Sequence, residues 1–453
     1  MDDLCRLAVG KKRKKRMELV KIMRSAGIVG AGGAGFPSYA KLAEGADTLL
    51  INGAECEPLL YTDYTILKNE IGEVISGAEC VISAGFARRA ILAIKEHTAK
   101  RLSLSDGEML SRFVSVKVLP DVYPMGDEVS LIYQSTGRLV QPGRLPITVG
   151  VIVFNVETAY NISRAVNYGE AVTHKWLTVG GDIKNAVVLR APVGMRVSEL
   201  FSKLGIALDE RHALIDGGPS MGKLVEVGSA VVTKTTKALL ILPSDTEAVA
   251  SKRKSVKMAI SRAETACCQC TRCTDMCPRT MLGYSLEAHK MVRTAMGAVK
   301  VSPEMVISAT LCCGCGICES LACSQGISPK AVIDNYKELL RQNGLRYNKG
   351  AEVSVAPERE YRQIPTVRWA SRLGVARLDK LPEFIGCVDA ARVEIPISTH
   401  IGAPAKASVE GGTTVAKGEK IADSASGLSV DYHASIGGRV SLGANKIIID
   451  KVM

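Results

Sequence analysis

Two short cysteine-rich segments constrain this chain more than any other feature. Ten of its 14 cysteines lie in residues 267–277 and 312–323. Each segment contains the spacing C-x2-C-x2-C, with a fourth cysteine after three further residues in the first segment and after four in the second. The cysteines in register are Cys267, Cys270, Cys273, Cys277, Cys312, Cys315, Cys318 and Cys323. Cys268 and Cys313 fall out of register, so two sets of four thiols are the candidates for binding metal.

The spacing is that of the iron–sulfur ligands in bacterial two-cluster ferredoxins. Structural zinc sites usually draw four ligands from two C-x2-C pairs, whereas each segment here supplies four cysteines by itself. Disulfide frameworks are typical of small secreted chains, and this chain has 453 residues. The segments therefore predict two [4Fe-4S] clusters that lie close enough to exchange electrons.

The spacing also bears on which four cysteines share a cluster. In two-cluster ferredoxins the fourth cysteine of such a run ligates the other cluster. By this rule Cys323 joins the first three cysteines of the first segment, and Cys277 joins the first three of the second. The alternative is that each segment closes on itself, with the longer last gap letting Cys323 fold back.

Length and composition indicate several globular domains. A chain of 453 residues is too long for one ordinary core, and its apolar fraction of 47% is typical of folded proteins. Aromatic residues make up only 4%, which argues against a stacking platform for nucleic acid. No apolar run approaches the roughly 20 residues that span a bilayer, and no apolar leader precedes the first domain. We therefore expect a cytoplasmic protein with reduced thiols, no nucleic-acid partner and no membrane span.

A basic run near the start supplies half of the formal net charge. The net charge is +12, and residues 11–16 read KKRKKR. Such a run is most often solvated, so we expect residues 1–17 to form a disordered basic arm. Docking to an acidic partner, a membrane or nucleic acid is the alternative.

A glycine-rich segment follows a predicted short helix at residues 18–26. Residues 30–35 match G-x-G-x-x-G, and Glu55 lies about 20 residues later. A dinucleotide fingerprint needs a strand before it and a helix after it, whereas here a helix precedes and Pro37 follows. Glycines still free the backbone amides to approach a ligand, so the segment predicts an anion cradle. A tight structural turn is the alternative.

Polar residues follow predicted strands in the first third of the chain. Buried strands are predicted at residues 48–51, 90–94, 114–119 and 147–154. Asn52, Glu55 and Glu57 follow the first strand, and Asn155 and Thr158 follow the last. Open α/β sheets bind ligands at the carboxyl ends of their strands, so these residues are candidates for a binding site.

These motifs resemble the flavin- and NADH-binding subunit of respiratory complex I and, more closely, the RnfC component of the Rnf electron-transport complex. The likeness rests on the glycine segment and on NGAECEP at 52–58, GDE at 126–128 and NVET at 155–158. The resemblance implies flavin mononucleotide (FMN) beside the clusters, and NADH as substrate. The residues implied to hold FMN are Gly30, Gly32, Gly33, Asn52, Glu55, Asn155 and Thr158. Those implied to face NADH are Phe36, Lys41, Glu57 and Glu128, the two glutamates being the catalytic candidates.

The resemblance also implies a fold, an α/β multidomain chain. A Rossmann-like flavin domain is expected at 18–172, a β-grasp insert at 173–245 and a helical two-cluster ferredoxin-like domain at 246–345. A surface linker at 346–384 would lead to an all-β barrel-sandwich hybrid at 385–453. Biotinyl and lipoyl carrier domains of this kind present a modifiable lysine on a hairpin tip, and residues 424–430 contain no lysine. We therefore expect this domain to be a docking or structural module and not a mobile carrier of a cofactor. For His400 and His433 we expect structural roles.

The order of the domains, with the sandwich last, resembles the cobalamin reductases of propanediol-utilisation bacterial microcompartments. This implies electron flow from NADH through FMN and two clusters to cobalamin, with a cobalamin adenosyltransferase or another acceptor protein, and a shell protein, as partners. An electron donor in a glycyl-radical-enzyme microcompartment, a subunit of an Rnf-type membrane complex and a wiring protein without catalytic flavin are the alternatives.

Overall fold

A four-stranded parallel sheet forms the first module of the chain, which a computed structural model describes over residues 2–300, 302–348 and 350–452. The elements are α1 (Asp2–Ser25), β1 (Thr48–Gly53), α2 (Thr62–Ser83), β2 (Arg89–Lys95), α3 (Glu96–Leu102), β3 (Val114–Leu119), β4 (Val122–Tyr123), α4 (Glu128–Thr136), β5 (Val151–Asn155) and α5 (Val156–Tyr168). The strand order is β3-β2-β1-β5. Leu49 and Ile51 of β1 enter one core cluster and Leu50 enters another, so both faces of the sheet are covered.

The pairing of β1 with β5 brings the polar strand ends together. The two strands are parallel, and Asn52 lies opposite Asn155 in their register. The residues that follow each strand therefore meet at one edge of the sheet, as the sequence predicted. The last strand starts later than predicted. A 3-10 turn occupies Pro146–Val149, and Gly150 has a φ of 74°, which interrupts extended backbone before Val151.

The basic run differs from its prediction. Residues 2–17 belong to α1, which continues to Ser25, where we expected a disordered arm followed by a separate short helix. Lysine and arginine are good helix formers, and Leu19 and Met23 anchor the second half of α1 in the core. Within the described ranges, no helix is both long and apolar enough to cross a membrane.

A mixed six-stranded sheet forms the second module. It contains β6 (His174–Gly181), β7 (Val187–Pro192), α6 (Val197–Leu204), β8 (His212–Asp216), β9 (Lys223–Val225) and β10 (Ala238–Pro243). The strand order is β12-β7-β6-β10-β8-β9, and the edge strand β12 (Glu383–Cys387) comes from much later in the chain. A glycine loop at 217–222 joins β8 to β9 and points toward the first module.

Short helices form the third module, which contains the cysteines. They are α7 (Glu247–Ala250), α8 (Val256–Ala266), α9 (Arg272–Asp275), α10 (Pro278–Met281), α11 (Ala288–Ala295), α12 (Pro303–Ile307) and α13 (Pro329–Gln342). A π-helical turn at Cys318–Ala322 accommodates the longer last gap of the second cysteine segment.

The prediction of a surface linker at 346–384 is wrong for the second half of this segment. This half contains β11 (Ile364–Pro365) and α14 (Thr366–Arg372), and it leads into β12. β11 pairs with β4, and Trp369 is fully buried in a core cluster with Tyr123. The segment has no sustained hydrophobic period because a few large side chains, and not a repeating face, make its contacts.

Two small sheets form the last module. The strands are β13 (Arg392–Pro396), β14 (Lys406–Ala407), β15 (Thr414–Val415), β16 (Lys420–Asp423), β17 (Tyr432–His433), β18 (Gly438–Gly443) and β19 (Lys446–Asp450), in the orders β13-β19-β18-β15 and β14-β16-β17. The 424–430 tip docks on the first module, because Arg24 donates to Ser424 Oγ and to the Ala425 carbonyl, and Tyr39 Oη donates to the Gly427 carbonyl.

Candidate functional site

The glycine segment folds into a closed loop with exposed amides at its tip. The Gly30 amide donates to the Phe36 carbonyl (2.8 Å) and the Gly35 amide to the Gly30 carbonyl (3.2 Å). Gly33 has a φ of 108°, and a Cβ there would meet nothing within 4 Å. A side chain at Gly32 would extend toward Asn155, 3.8 Å away. The loop therefore leaves open space beside its backbone, which is the requirement for an anion cradle.

Two buried side chains fix the peptide groups of Ala31 at the start of this tip. The Ala31 amide donates to Thr158 Oγ1 (3.2 Å), and Lys175 Nζ donates to the Ala31 carbonyl (3.2 Å). Lys175 also forms an ion pair with Glu157, and both side chains are 1% exposed. Thr158, predicted to hold FMN, therefore contacts the loop itself and orients it. Lys175 and Glu157 were missed in the sequence because they come from different modules.

One cavity collects six of the residues predicted to bind FMN or NADH. These are Gly32, Asn52, Glu55, Glu57, Glu128 and Asn155. The rest of its lining includes Cys56, Leu60, Asp63, Pro124, Gly126, Asp127, Met221, Lys237, Cys313 and Cys315. Gly30, Gly33, Phe36, Lys41 and Thr158 do not line this cavity. The cavity thus extends from the glycine loop to the second cysteine segment.

The two asparagines are held by partners on neighbouring elements. Asn52 donates from Nδ2 to the Gly126 carbonyl (3.0 Å). Asn155 caps α5 by accepting from the Glu157 amide (3.0 Å), and its Nδ2 donates to Asp63 Oδ2 (3.0 Å). Both side chains are therefore fixed at the floor of the cavity before any ligand binds.

Glu55 takes part in a charged network that the sequence did not reveal. Its carboxylate accepts from the Asp63 and Tyr64 amides (2.9 and 3.0 Å) at the start of α2. Burial and the Asp63 carboxylate raise the pKa of Glu55 to about 7, against the opposing charge of Lys237. Lys237 forms an ion pair with Asp63 (2.6 Å). Burial alone would lower the pKa of Lys237, but the Asp63 and Glu55 carboxylates raise it. The buried Lys237 thus supplies a positive charge to the cavity.

Glu57 connects the first module to the glycine loop of the second. Its two carboxylate oxygens accept from the amides of Ser220 and Met221, both at 2.8 Å. A Cβ at Gly218 would lie 2.4 Å from the Glu57 carboxyl carbon, so a larger residue there would displace the Glu57 side chain from its two hydrogen bonds. Burial raises the pKa of Glu57, while the two amide bonds oppose that rise. Met221 therefore reaches the cavity because Glu57 holds its loop.

Lys41 and Glu128 lie at the rim of the cavity and contact each other. Lys41 Nζ lies 2.7 Å from Glu128 Oε1 and 3.2 Å from the Val153 carbonyl oxygen. Both side chains are about one-third exposed. Phe36 is half-buried at the end of the glycine loop. The structure thus joins two of the four residues predicted to face NADH, and Glu57 lines the same cavity as Glu128 from under the 217–222 loop.

The residues that surround this cavity fit FMN. Gly32 lines the cavity, and the open space at the adjacent Gly33 leaves room for a phosphate to approach the backbone amides of the loop. The lining also contains the amide side chains of Asn52 and Asn155, the Lys237–Asp63 ion pair, and the carboxyl groups of Glu55, Glu57, Asp127 and Glu128. The fit therefore rests on the open glycine loop for the phosphate and on the polar lining for the flavin ring.

The first four-cysteine group, which we call the outer set, comprises Cys267, Cys270, Cys273 and Cys323. All four line one cavity, and Cys277 is not among its lining residues. Burial, and then the charges of Cys323, Cys270 and Cys267, raise the pKa of Cys273 to about 12. Cys323 therefore lies with the first three cysteines of the other segment, which is the arrangement that the crossover interpretation predicts.

The second group, which we call the inner set, comprises Cys277, Cys312, Cys315 and Cys318. Burial raises the pKa of Cys312 to about 12, with Cys313 and Cys277 as the next contributions. Burial also raises the pKa of Cys318, and Cys312 and Cys277 add to it. Cys277 thus lies with the second segment. The grouping of the eight in-register thiols into two sets of four fits the ligands of two iron–sulfur clusters.

The inner set adjoins the cavity of the first module. Cys315 and its neighbour Cys313 line that cavity. Tyr123 Oη donates to the Cys315 carbonyl (2.7 Å), and the Tyr123 ring stacks on Trp369 with 4.7 Å between centroids. An ion pair of 2.6 Å joins Arg279 to Asp127, next to Glu128. Cys313, which falls out of register in the sequence, belongs to neither set of four and lies in the cavity wall.

Three protein-family models match the chain. The Nuo51 FMN-binding domain matches residues 23–164, the 4Fe-4S dicluster domain residues 266–328, and the RnfC barrel sandwich hybrid domain residues 387–447. The chain therefore combines an FMN-binding domain, an iron–sulfur domain and a barrel-sandwich domain in a mixed α/β protein. Along the chain the three matches follow one another in the order FMN-binding, iron–sulfur and barrel sandwich.

Characterised relatives match most of the chain. Cobalamin reductase PduS of Citrobacter freundii is 38% identical over 424 residues, which cover 92% of this chain and 93% of the relative. Cobalamin reductase PduS of Salmonella typhimurium is 37% identical over 427 residues, 94% of each chain. The RnfC-type component of the ion-translocating oxidoreductase complex of Rhodobacter capsulatus is 32% identical over 291 residues, 63% of this chain and 54% of that protein. The resemblances inferred from the cysteine and glycine motifs are confirmed.

Proposed function

Because this chain belongs to the cobalamin reductase family, we propose that it is an oxidoreductase that uses NADH to reduce cobalamin through FMN and two [4Fe-4S] clusters. The observation that carries the proposal is the cavity shared by Gly32, Asn52 and Asn155 with Cys313 and Cys315. A flavin held there would lie against the loop of the inner set. The two cofactors would then be close enough for direct electron transfer.

In this proposal the cofactors supply the redox chemistry, in which a flavin accepts two electrons from NADH and the clusters carry them singly. The chain holds and orients the groups. The glycine loop, oriented by Thr158 and Lys175, would hold the phosphate. Asn52, Glu55 and Asn155 would hold the flavin ring system, with Lys237 as a nearby positive charge.

The nicotinamide would enter from the rim. Lys41 and Glu128 lie on this side, and their ion pair would open to contact the polar parts of NADH. Phe36, at the end of the glycine loop, would also face NADH. Glu57 would act from beneath the 217–222 loop, so it would shape the NADH site together with Met221. Residues 173–245 would serve as the β-grasp domain and contribute this loop.

The sequence resemblance gives the proposal a cellular setting. It implies a propanediol-utilisation microcompartment, with a cobalamin adenosyltransferase or another acceptor protein and a shell protein as partners. The match to a component of an ion-translocating oxidoreductase complex over 63% of the chain supports one second candidate, a peripheral subunit of a membrane redox complex. That candidate requires stable co-purification with membrane subunits, which separates it from the first.

The test uses anaerobically purified, cofactor-loaded protein with NADH and aquacobalamin. Loss of flavin absorbance and appearance of the cob(II)alamin spectrum are expected together. Cys315→Ala should retain FMN but lose cobalamin reduction, whereas Cys80→Ala, on α2, should behave as wild type. Flavin reduction without any cobalamin reduction would contradict the assignment of the acceptor. Absence of flavin reduction by NADH would contradict the proposal as a whole.

A further inference from the structure

The inner and outer cysteine sets have different surroundings. Cys315 of the inner set is 7% exposed, lines the FMN cavity and is tied to Tyr123. Cys270 of the outer set is exposed, as is its neighbour Cys268. None of the residues that line the outer cavity also lines the FMN cavity. One set therefore faces the flavin site and the other faces solvent.

The two sets nevertheless lie side by side. Helix α9, which contains Cys273 of the outer set, packs against the π-helical turn that begins at Cys318 of the inner set. Because each segment gives its fourth cysteine to the other set, the backbone crosses between them twice. An electron that arrives at the inner set thus has a short path to the outer set. None of the four cysteines of the inner set is exposed, so the inner set has no comparable route to solvent.

We propose that electrons enter through the inner set, leave through the outer set, and pass there to a protein acceptor whose docking face is negatively charged. This rests on the proposed function above, because it takes NADH and FMN as the electron source. Each transfer after the flavin moves one electron. The acceptor is reduced by one electron and no atom is transferred.

The charge of the acceptor follows from the side chains around the outer set. Arg293 lines the cavity, and no acidic residue is among its lining residues in the described part of the chain. Arg262 donates from Nε to the Gln325 carbonyl at the cavity wall (3.1 Å), and Arg272 is exposed between Cys270 and Cys273.

Acidic groups near this face are fewer than the basic ones. Glu287 forms an ion pair of 2.7 Å with Lys290. Asp275, which accepts from Thr271 Oγ1, and Glu264, which is exposed on α8, keep their charges and offset two of the three arginines. The surface around the outer set therefore carries an excess of positive charge. Complementary charges raise the association rate of two proteins, and this effect weakens as the salt concentration rises. A basic surface therefore favours a partner whose docking face is acidic.

The order of the sets is tested by electron paramagnetic resonance on the loaded protein. Cys270→Ala should lose the outer cluster, and NADH should still reduce the inner one. Cys315→Ala should lose the inner cluster, and the outer cluster should then be reduced by dithionite but not by NADH. Iron content is measured first, and Cys323→Ser and Cys318→Ser replace these variants if both clusters are lost. NADH reduction of the outer cluster in protein that lacks the inner one would overturn the order.

The charge of the partner is tested with two forms of one electron acceptor. Native cytochrome c is basic, and succinylated cytochrome c is the acidic form of the same haem protein. At low salt the acidic form should be reduced faster than the native form. Arg272→Glu should lower the reduction rate of the acidic form at least about fivefold, and the reduction rate of native cytochrome c should stay the same or rise. Arg272→Gln should give an intermediate rate. Arg439→Glu, on β18 of the last module, is the matched control and should change neither rate.

Each outcome of the charge test is decisive. If the two cytochromes are reduced at equal rates, both by wild type and by Arg272→Glu, the proposal of an acidic partner is overturned. Flavin reduction by NADH is recorded in the same samples. If it fails, the proposed function fails, whereas normal flavin reduction with charge-independent acceptor rates contradicts only the docking proposal.

Discussion

The cavity proposed to hold FMN and the cysteine module are assembled in opposite ways. The cysteine sets come from two short segments with regular spacing, so the local sequence is enough to predict them as metal ligands. The cavity takes its floor from β1 and β5, its buried ion pair from Asp63 and Lys237, and its cover from the 217–222 loop of the second module. The comparison teaches that metal ligation can be inferred from spacing, whereas a flavin site depends on contacts between distant parts of a chain.

The largest expected effect is loss of FMN in Gly32→Asp. The new carboxylate would occupy the open space toward Asn155 and repel a phosphate. We expect less than about one-tenth of the wild-type FMN content, since a tenfold loss needs only about 1.4 kcal/mol. Flavin absorbance after anaerobic purification measures it.

Iron content should stay at the wild-type value in this variant, because the cysteine sets lie in another module. Gly72→Asp, on α2 where an added Cβ meets nothing within 4 Å, is the matched control and should retain FMN. Full flavin absorbance in Gly32→Asp would show that the cavity is not the flavin site.

The next effect tests the crossed cysteine sets. The double variant Cys323→Ala/Cys270→Ala removes two ligands from the outer set only. One intact cluster, about half of the wild-type iron, should therefore remain. Iron analysis and electron paramagnetic resonance measure it. If both single variants keep one cluster and the double variant keeps none, each segment holds its own cluster and the crossover is refuted.

An effect on stability, and not on cluster content, is expected where the two modules meet at the glycine loop. Lys175→Met would leave the Glu157 carboxylate buried without its partner and would remove the donor to the Ala31 carbonyl. Breaking a buried pair in this way costs about 3–5 kcal/mol. Urea denaturation measures the loss.

The double variant Lys175→Met/Glu157→Gln should recover part of this stability, because no lone charge remains. Lys203→Met removes a pair whose lysine side chain is 43% exposed, and should change stability by less than about 1 kcal/mol. A similar cost for Lys203→Met and Lys175→Met would argue against a special role for the buried pair.

The smallest effect is expected for Glu57→Gln. The Glu57 carboxylate now accepts hydrogen bonds from two backbone amides. Glutamine would turn an N–H group toward one of them, and the loss of that hydrogen bond would loosen the 217–222 loop. Loss of about 1 kcal/mol, or roughly fivefold, in NADH-driven flavin reduction is expected, with FMN content close to wild type. Stopped-flow reduction across NADH concentrations measures it, and Glu264→Gln is the exposed control. Identical rates in both proteins would remove Glu57 from the NADH site.

Individual residues show what the sequence could and could not reveal. The three-residue cysteine steps predicted the sets, and the polar ends of β1 and β5 predicted the cavity floor. Lys175, Lys237 and Met221 escaped prediction because no local pattern records a contact across modules. Trp369 escaped for a related reason, since a single large side chain anchors its segment without a hydrophobic period.

The last module closes the glycine loop from behind. The Ile401 amide donates to the Gly35 carbonyl (3.0 Å), and a Cβ at Gly35 would lie 3.1 Å from the Thr399 carbonyl oxygen. The ribosome makes residues 27–35 early and residue 401 late. Domains generally fold in order of synthesis, but this loop gains its final contact only after the C-terminal module emerges. Flavin loading is therefore expected to follow release of the chain, and premature termination before residue 401 should yield protein that folds its sheet but does not retain flavin.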